Sequence, residues 1–190
     1  MLTDEEKRSL LGIARGAILQ ALHGRGAGRG QGPGGKTPGV LEGLLRPGGA
    51  FVTLRHRGEL RGCIGYIESP LPLSEVVAEV AVKAAFHDPR FPPLSVAEAE
   101  EMTIEVSVLS PLVRVRSVND IQVGIHGLVM ELGFSRGLLL PQVAVEYGWN
   151  REQFLEHTAR KAGLPADAWR DPACALYVFR ADVVGEEDHA

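Results

Sequence analysis

Cysteine is scarce in this chain of 190 residues: there are two, Cys63 and Cys174, far apart. Two distant thiols do not make a disulfide framework, so a reducing cytoplasm is the default expectation. The six histidines, at 23, 56, 87, 126, 157 and 189, contain no H-x-x-x-H, and the cysteines contain no C-x-x-C. No metal and no cofactor are therefore expected, and a metal site assembled in space from Cys63, His87 and Asp88 is the weakest reading of those residues. No apolar run is long enough to cross a bilayer, which argues against a membrane-spanning helix. The opening residues are a charged helical pattern rather than a secretory leader. Neither sign of charge is in large excess: 20 Lys and Arg against 24 Asp and Glu give a net charge of -4, with no general nucleic-acid signal. Aromatic residues are few, and no basic stretch surrounds Trp149 or Trp169, so both read as packing residues rather than stacking platforms.

What remains is an ordinary globular composition, 45% hydrophobic and 23% charged. The length suits one domain over 1–190, with room for two lobes. Residues 3–22 read as a helix opened by the Thr3/Glu6 capping box, with Leu10, Ala14, Ala17, Ile18, Ala21 and Leu22 as its apolar stripe and Gly24 as its stop. The glycine tract at 24–35, with its flank to 37, reads as a flexible insertion. Within it, Gly30 to Thr37 match the spacing G-x-x-x-x-G-K-T of a phosphate-binding loop. No apolar strand precedes it and Pro38-Gly39 follow, so the match is one that a glycine-rich tract produces by chance.

A hairpin follows, Ala50–His56 and Glu59–Ile67, turning at Arg57-Gly58. Ser74 is positioned to cap a helix to Phe86, and Ser95 with Glu98 forms a second capping box. Met102–Leu109 alternates as a strand, with Ile104, Val106 and Val108 on one face and Thr103, Glu105 and Ser107 on the other. Gly124–Leu132 reads as a turn followed by a strand, and further strands are expected at Leu138–Leu140 and Ala175–Val184. Helices are expected from Pro141 to about Tyr147 and, capped by Asn150, over Arg151–Ala162. Hairpins mixed with helices point to an α+β fold with a mainly antiparallel sheet.

The stretch Leu60-Arg61-Gly62-Cys63-Ile64-Gly65 carries the most chemistry. On a regular strand Arg61, Cys63 and Gly65 share a face, with Arg61 and Cys63 about 7 Å apart. A cation there favours the thiolate. Gly62 and Gly65 let a ligand or another backbone approach closely. The alternative is a half-buried hairpin whose thiol is a small hydrophobe. Asp88 and Arg90 sit in the proline-rich loop His87–Pro93, either as functional groups on a rigid loop or as a pair that braces it. Glu105 is a natural partner for Arg61. His126 and His87 are candidate bases, and Gln142, at a helix start, either satisfies backbone groups or reaches a site.

LRGCIG at 60–65, AAFHDPRFPPL at 84–94, IEVSVLSP at 104–111, GIHGL at 124–128 and RGLLLPQVAVEYGW at 136–149 resemble the AMMECR-one family, and FLEHTARKAGLP at 154–165 continues the match. In prokaryotes that family resembles protein A of the AmmeMemoRadiSam system. The resemblance implies an α+β protein with two unequal lobes, the larger holding both chain ends, and a functional cleft near LRGCIG. It also implies a link to a Memo-like protein and a radical SAM protein, and it brings no established reaction. The glycine tract departs from the family pattern.

Two functions stay open at this point. One is a binding module in which Arg61, Gly62, Gly65, Asp88, Arg90 and Gln142 recognise a small anionic ligand or a macromolecule. The other is an enzyme with Cys63 as nucleophile, Arg61 as anion anchor, and His126 and Glu105 as base and orienting acid.

Overall fold

The structure is a computed structural model that describes residues 2–26 and 41–186, with side chains from 2 to 24 and from 41 to 186. The glycine tract and its phosphate-loop spacing lie almost wholly outside those residues. The chain divides into two compact units, one of Met1–Leu109 with Asp182–Ala190, the other of Ser110–Ala181.

The first unit opens with helix α1 (Asp4–Gly26), whose start is the Thr3/Glu6 box: Thr3 N–H donates to the Glu6 carboxylate at 2.7 Å and Glu6 N–H to Thr3 Oγ1 at 3.2 Å. The helix continues through Gly24 to Gly26, two residues past the expected stop. Its stripe Leu10, Ala14 and Ile18 is fully buried. After a 3-10 turn at Glu42–Leu45 come β1 (Ala50–His56), β2 (Glu59–Tyr66), helix α2 (Leu73–Phe86), helix α3 (Val96–Glu101) and β3 (Met102–Leu109). The β1–β2 turn is Arg57-Gly58, both at positive φ (54° and 82°), the twist that suits a two-residue hairpin. Helix α2 starts after Pro72 rather than at a Ser74 cap; Ser74 lies inside the helix and is buried. Proline at the boundary has no N–H to satisfy and its fixed φ suits the entry. The Ser95/Glu98 box opens α3 as expected.

The sheet of this unit has the order β2-β1-β3-β8, with β8 at Ala181–Gly185. Its core face is Ala50, Val52 and Leu54 of β1 with Ile104, Val106 and Val108 of β3. Helix α2 covers β1 and β2 with Val76, Val77, Val80, Ala81 and Ala84, and α1 packs on α2 and β3. Burying such side chains contributes about 1.5–3 kcal/mol each for the larger ones, and this layer holds the unit together.

The second unit contains β4 (Val113–Arg114), β5 (Gly127–Leu132), β6 (Ser135–Leu139), α4 (Pro141–Glu146), α5 (Arg151–Lys161) and β7 (Ala175–Phe179), with sheet order β4-β7-β5-β6. Helix α5 is capped by the Asn150/Gln153 box and buries Phe154, Leu155, Thr158 and Ala159 against Leu128, Met130 and Leu176. Strand β6 starts three residues earlier than the apolar triplet 138–140 suggests. Gly137 lies within it because a Cβ there would sit 2.3 Å from Ala162 N, at the end of α5.

The expected last strand, 175–184, is two strands in two sheets. Phe179 still pairs with Gly127 of β5, and at Arg180 the ladder ends; Ser110 N–H donates to Arg180 O at 2.8 Å and Arg180 N–H to Ser110 Oγ at 2.9 Å. The chain then joins the sheet of the first unit as β8. Every ladder whose register is given is antiparallel.

Candidate functional site

The register of β1 and β2 decides what surrounds Cys63. From the turn, His56 faces Glu59 and Arg55 faces Leu60; then Leu54 faces Gly62, and Thr53 faces Cys63. Arg61 is the extra residue of a β-bulge and has no partner across the ladder. Without the bulge, Thr53 would stand opposite Gly62. With it, Thr53 lies beside Cys63, and Thr53 Oγ1 donates to Cys63 Sγ at 3.3 Å. Across β1, Thr53 faces Glu105 of β3, so Cys63, Thr53 and Glu105 form one row of the sheet. Glu105 is two strand spacings from Cys63, about 10 Å between backbones.

The bulge also redirects Arg61. Its side chain is 9% exposed, Nε donates to Glu98 Oε1 at 2.8 Å, and Nη2 donates to Glu98 Oε2 at 3.3 Å and to the Pro92 carbonyl at 2.9 Å. Nη1 is buried without a partner among the described residues. The expected Arg61–Glu105 pairing is therefore corrected: the carboxylate on Arg61 is Glu98. The fork that was to anchor an anion is spent on α3 and on the proline-rich loop. Glu98 also accepts from Ser95 N–H and Ser95 Oγ, and the Arg61 fork with these bonds holds its pKa down at about 2.

The loop at 87–93 returns to β2 through Asp88. Its side chain is 2% exposed and Oδ2 accepts the Cys63 N–H at 2.9 Å. Arg90 donates to Asp88 through Nε (2.9 Å), Nη2 (2.6 Å) and its own N–H (3.1 Å), while Nη2 also donates to the Cys63 carbonyl at 3.3 Å. The Arg90 guanidinium holds the Asp88 carboxyl well below the ordinary range, with the two backbone N–H groups adding to the effect. The pair does brace its loop, and it also holds both main-chain groups of Cys63. Two cations lie over the Phe91 ring, the Arg61 guanidinium at 5.8 Å and that of Arg90 at 5.5 Å from its centroid.

The glycines serve packing. A Cβ on Gly62 would be 2.2 Å from the Ala84 carbonyl of α2, and one on Gly65 would be 2.3 Å from the Phe51 ring. The close approach expected at Gly62 is thus made by the protein's own helix backbone.

His87 is exposed at the end of α2. His126 is in the second unit, where its Nδ1 accepts the Gln122 N–H at 3.2 Å; burial, then Arg180, lowers its pKa. Gln142 is the second residue of α4, half-buried in the same unit. Cys174 is a free thiol, as is Cys63, and burial raises its pKa. Trp149 stacks on His157 at 3.8 Å and on Tyr147 at 5.0 Å, and packs on the core of the second unit. Among the described residues no group of His, Cys, Asp or Glu is placed to hold a metal, and no helix is long and apolar enough to cross a membrane. Thr53, Phe91, Pro92 and Glu98 were absent from the sequence reading of the site. Glu98 carries a sequence signal as the acid of the Ser95 capping box, but nothing in the sequence marks Arg61 as its second partner.

The family model described as AMMECR1 matches residues 11–184. A protein of Methanothermobacter thermautotrophicus is 45% identical over 193 residues, covering 98% of this chain and 97% of the relative. A protein of Methanopyrus kandleri is 44% identical over 196 residues, covering 98% and 91%. The crystal structure of an uncharacterized protein from Pyrococcus horikoshii has a TM-score of 0.88 at 38% identity, covering 98% of this chain and 94% of that one. By the extent of these matches and the shared fold, the chain belongs to the AMMECR1 family.

Proposed function

We propose that this protein is a ligand- or partner-binding module whose recognition element is the Cys63 segment of β2 with Arg90 beside it. The observation that carries this reading is how the charged groups around Cys63 are used. Asp88 and Arg90 bond its main chain, and Arg61 bonds Glu98 and Pro92, so the groups fix the backbone. A rigid segment with a half-buried thiol and an arginine whose side chain is 53% exposed suits recognition of an anionic group, by direct contact rather than by turnover. Of the two arginines expected to hold an anion, Arg90 keeps that role here, because the Arg61 fork is buried and paired. The partners proposed are a Memo-like protein and a radical SAM protein, as the family resemblance implies, with a small anionic ligand as the other target.

The test is binding of the purified Memo-like and radical SAM proteins by calorimetry to the full chain and to Arg90→Gln and Cys63→Ser. Loss with Arg90→Gln and retention with Cys63→Ser supports the reading. A second reading, an enzyme with Cys63 as nucleophile, is favoured by the Thr53 hydroxyl that donates to its sulfur. It predicts rapid modification of Cys63 by iodoacetamide at neutral pH in a Cys174→Ser background.

A further inference from the structure

We infer that the Asp88–Arg90 pair closes the outer edge of β2 against strand addition by a second copy of this chain. Strand β2 is an end strand of its sheet. Such a strand presents a row of N–H and C=O groups that another chain can pair with. In an antiparallel strand both main-chain groups of a residue point to the same side, and the side alternates along the chain. Those of Cys63 point outward, to Asp88 and Arg90. Those of Gly65, two residues on in the same strand, therefore point outward as well.

The pair offers Cys63 what a neighbouring strand would offer. A carboxylate oxygen accepts its N–H and a guanidinium N–H donates to its C=O. The carboxylate cannot easily turn away, because Arg90 grips it with three N–H groups and it is buried. On the turn side, the Arg61 bulge interrupts the ladder, a second device that spoils an edge for pairing. Removing the pair would leave Cys63 and Gly65 as two open main-chain sites about 7 Å apart, the repeat of an antiparallel partner. The occupant is a second copy because two β2 edges run antiparallel about a two-fold axis, each supplying the same residues to the other. This inference does not depend on what the Cys63 segment recognises.

The experiment uses the full chain and its Asp88→Ala/Arg90→Ala variant, with sedimentation velocity over a wide range of concentration and amide hydrogen exchange at Cys63. The wild type is expected to stay monomeric with a protected Cys63 amide. The variant is expected to lose that protection when dilute, and to associate and regain it when concentrated. A folded variant that stays monomeric, or that associates with the Cys63 amide still exchanging freely, would overturn the inference. If the double variant does not fold, Arg90→Ala alone frees the Cys63 carbonyl and is expected to associate more weakly. A folded, monomeric Arg90→Ala protein at every concentration would overturn it equally. The association readout is separate from partner binding, so either result leaves the recognition reading to its own test.

Discussion

Asp88 holds Cys63 by its main chain, accepting the Cys63 N–H at 2.9 Å, and so joins the proline-rich loop to the edge of β2. The loop and the strand are two parts of one arrangement. Arg61 reaches from the strand to Pro92 and Glu98, and Asp88 with Arg90 reaches from the loop back to Cys63.

The first consequence concerns Asp88. Truncation to alanine strands the Cys63 N–H and leaves Arg90 without its carboxylate. Hydrogen bonds to charged groups contribute about 1.5–3 kcal/mol each, and because Arg90 is largely exposed the loss falls below the roughly 3–5 kcal/mol of a fully buried pair, at about 2–3 kcal/mol. Urea unfolding should show this for Asp88→Ala, with Asp88→Asn milder because the amide oxygen can still accept from Cys63.

Arg61 should behave as a structural residue. Arg61→Ala leaves Glu98 facing a buried gap and frees Pro92, so a loss of about 2–4 kcal/mol is expected from breaking a mostly buried pair. Arg61→Lys should recover less than half, because one ammonium cannot reach both Glu98 oxygens and the Pro92 carbonyl as a fork does. Hydrogen exchange should rise in the 87–95 segment in both variants. Full stability in Arg61→Ala would contradict the assignment.

Acid should weaken this arrangement through Glu98. Its folded pKa is about 2, depressed from 4.5, so it adds stability above pH 4.5 that is lost as pH falls toward 2. Asp88, also depressed, acts in the same direction at low pH. Urea midpoints measured from neutral to acidic pH should fall less steeply for Glu98→Gln than for wild type in that window. Parallel curves would show that the Glu98 pairing has no energetic weight.

Gly62→Ala tests the contact between β2 and α2. Its Cβ would lie 2.2 Å from a backbone carbonyl, which has no rotamer to relieve it. Overpacking of this kind costs about 1–3 kcal/mol. Gly58, at φ 82° with open space around it, should instead respond through backbone strain alone when changed to alanine.

The same residues show what could be read from the sequence. The capping boxes at Thr3 and Ser95, the cap at Asn150 and the turn at Arg57-Gly58 are local signals, and each marks a real boundary. The alternation in β3 identified its buried face because periodicity reports burial directly. The bulge at Arg61 was not legible. One extra residue moves Thr53 from Gly62 to Cys63 and takes Arg61 off the ladder, and no residue type there demands it. Arg61 and Glu98 are each visible in the sequence, one as a cation and one as a cap, but their pairing joins residues 37 apart in the chain and leaves no local mark. The apolar run 175–184 likewise could not show that its two halves pair with different sheets, since partner choice leaves no mark on periodicity. Ser74 has the residue type of a cap, but the helix begins two residues earlier than such a cap requires, at Leu73 after Pro72.

Recognition of a partner through the Cys63 segment, as proposed, needs the Arg90 guanidinium and does not need the Cys63 thiol. Calorimetric titration of the Memo-like protein into the wild type, Cys63→Ser and Arg90→Gln tests it most directly, with circular dichroism to establish that each variant is folded. The account predicts that Cys63→Ser binds nearly as well as wild type, while Arg90→Gln loses about tenfold or more, which is about 1.4 kcal/mol. A folded Cys63→Ser protein that loses as much as Arg90→Gln would contradict it.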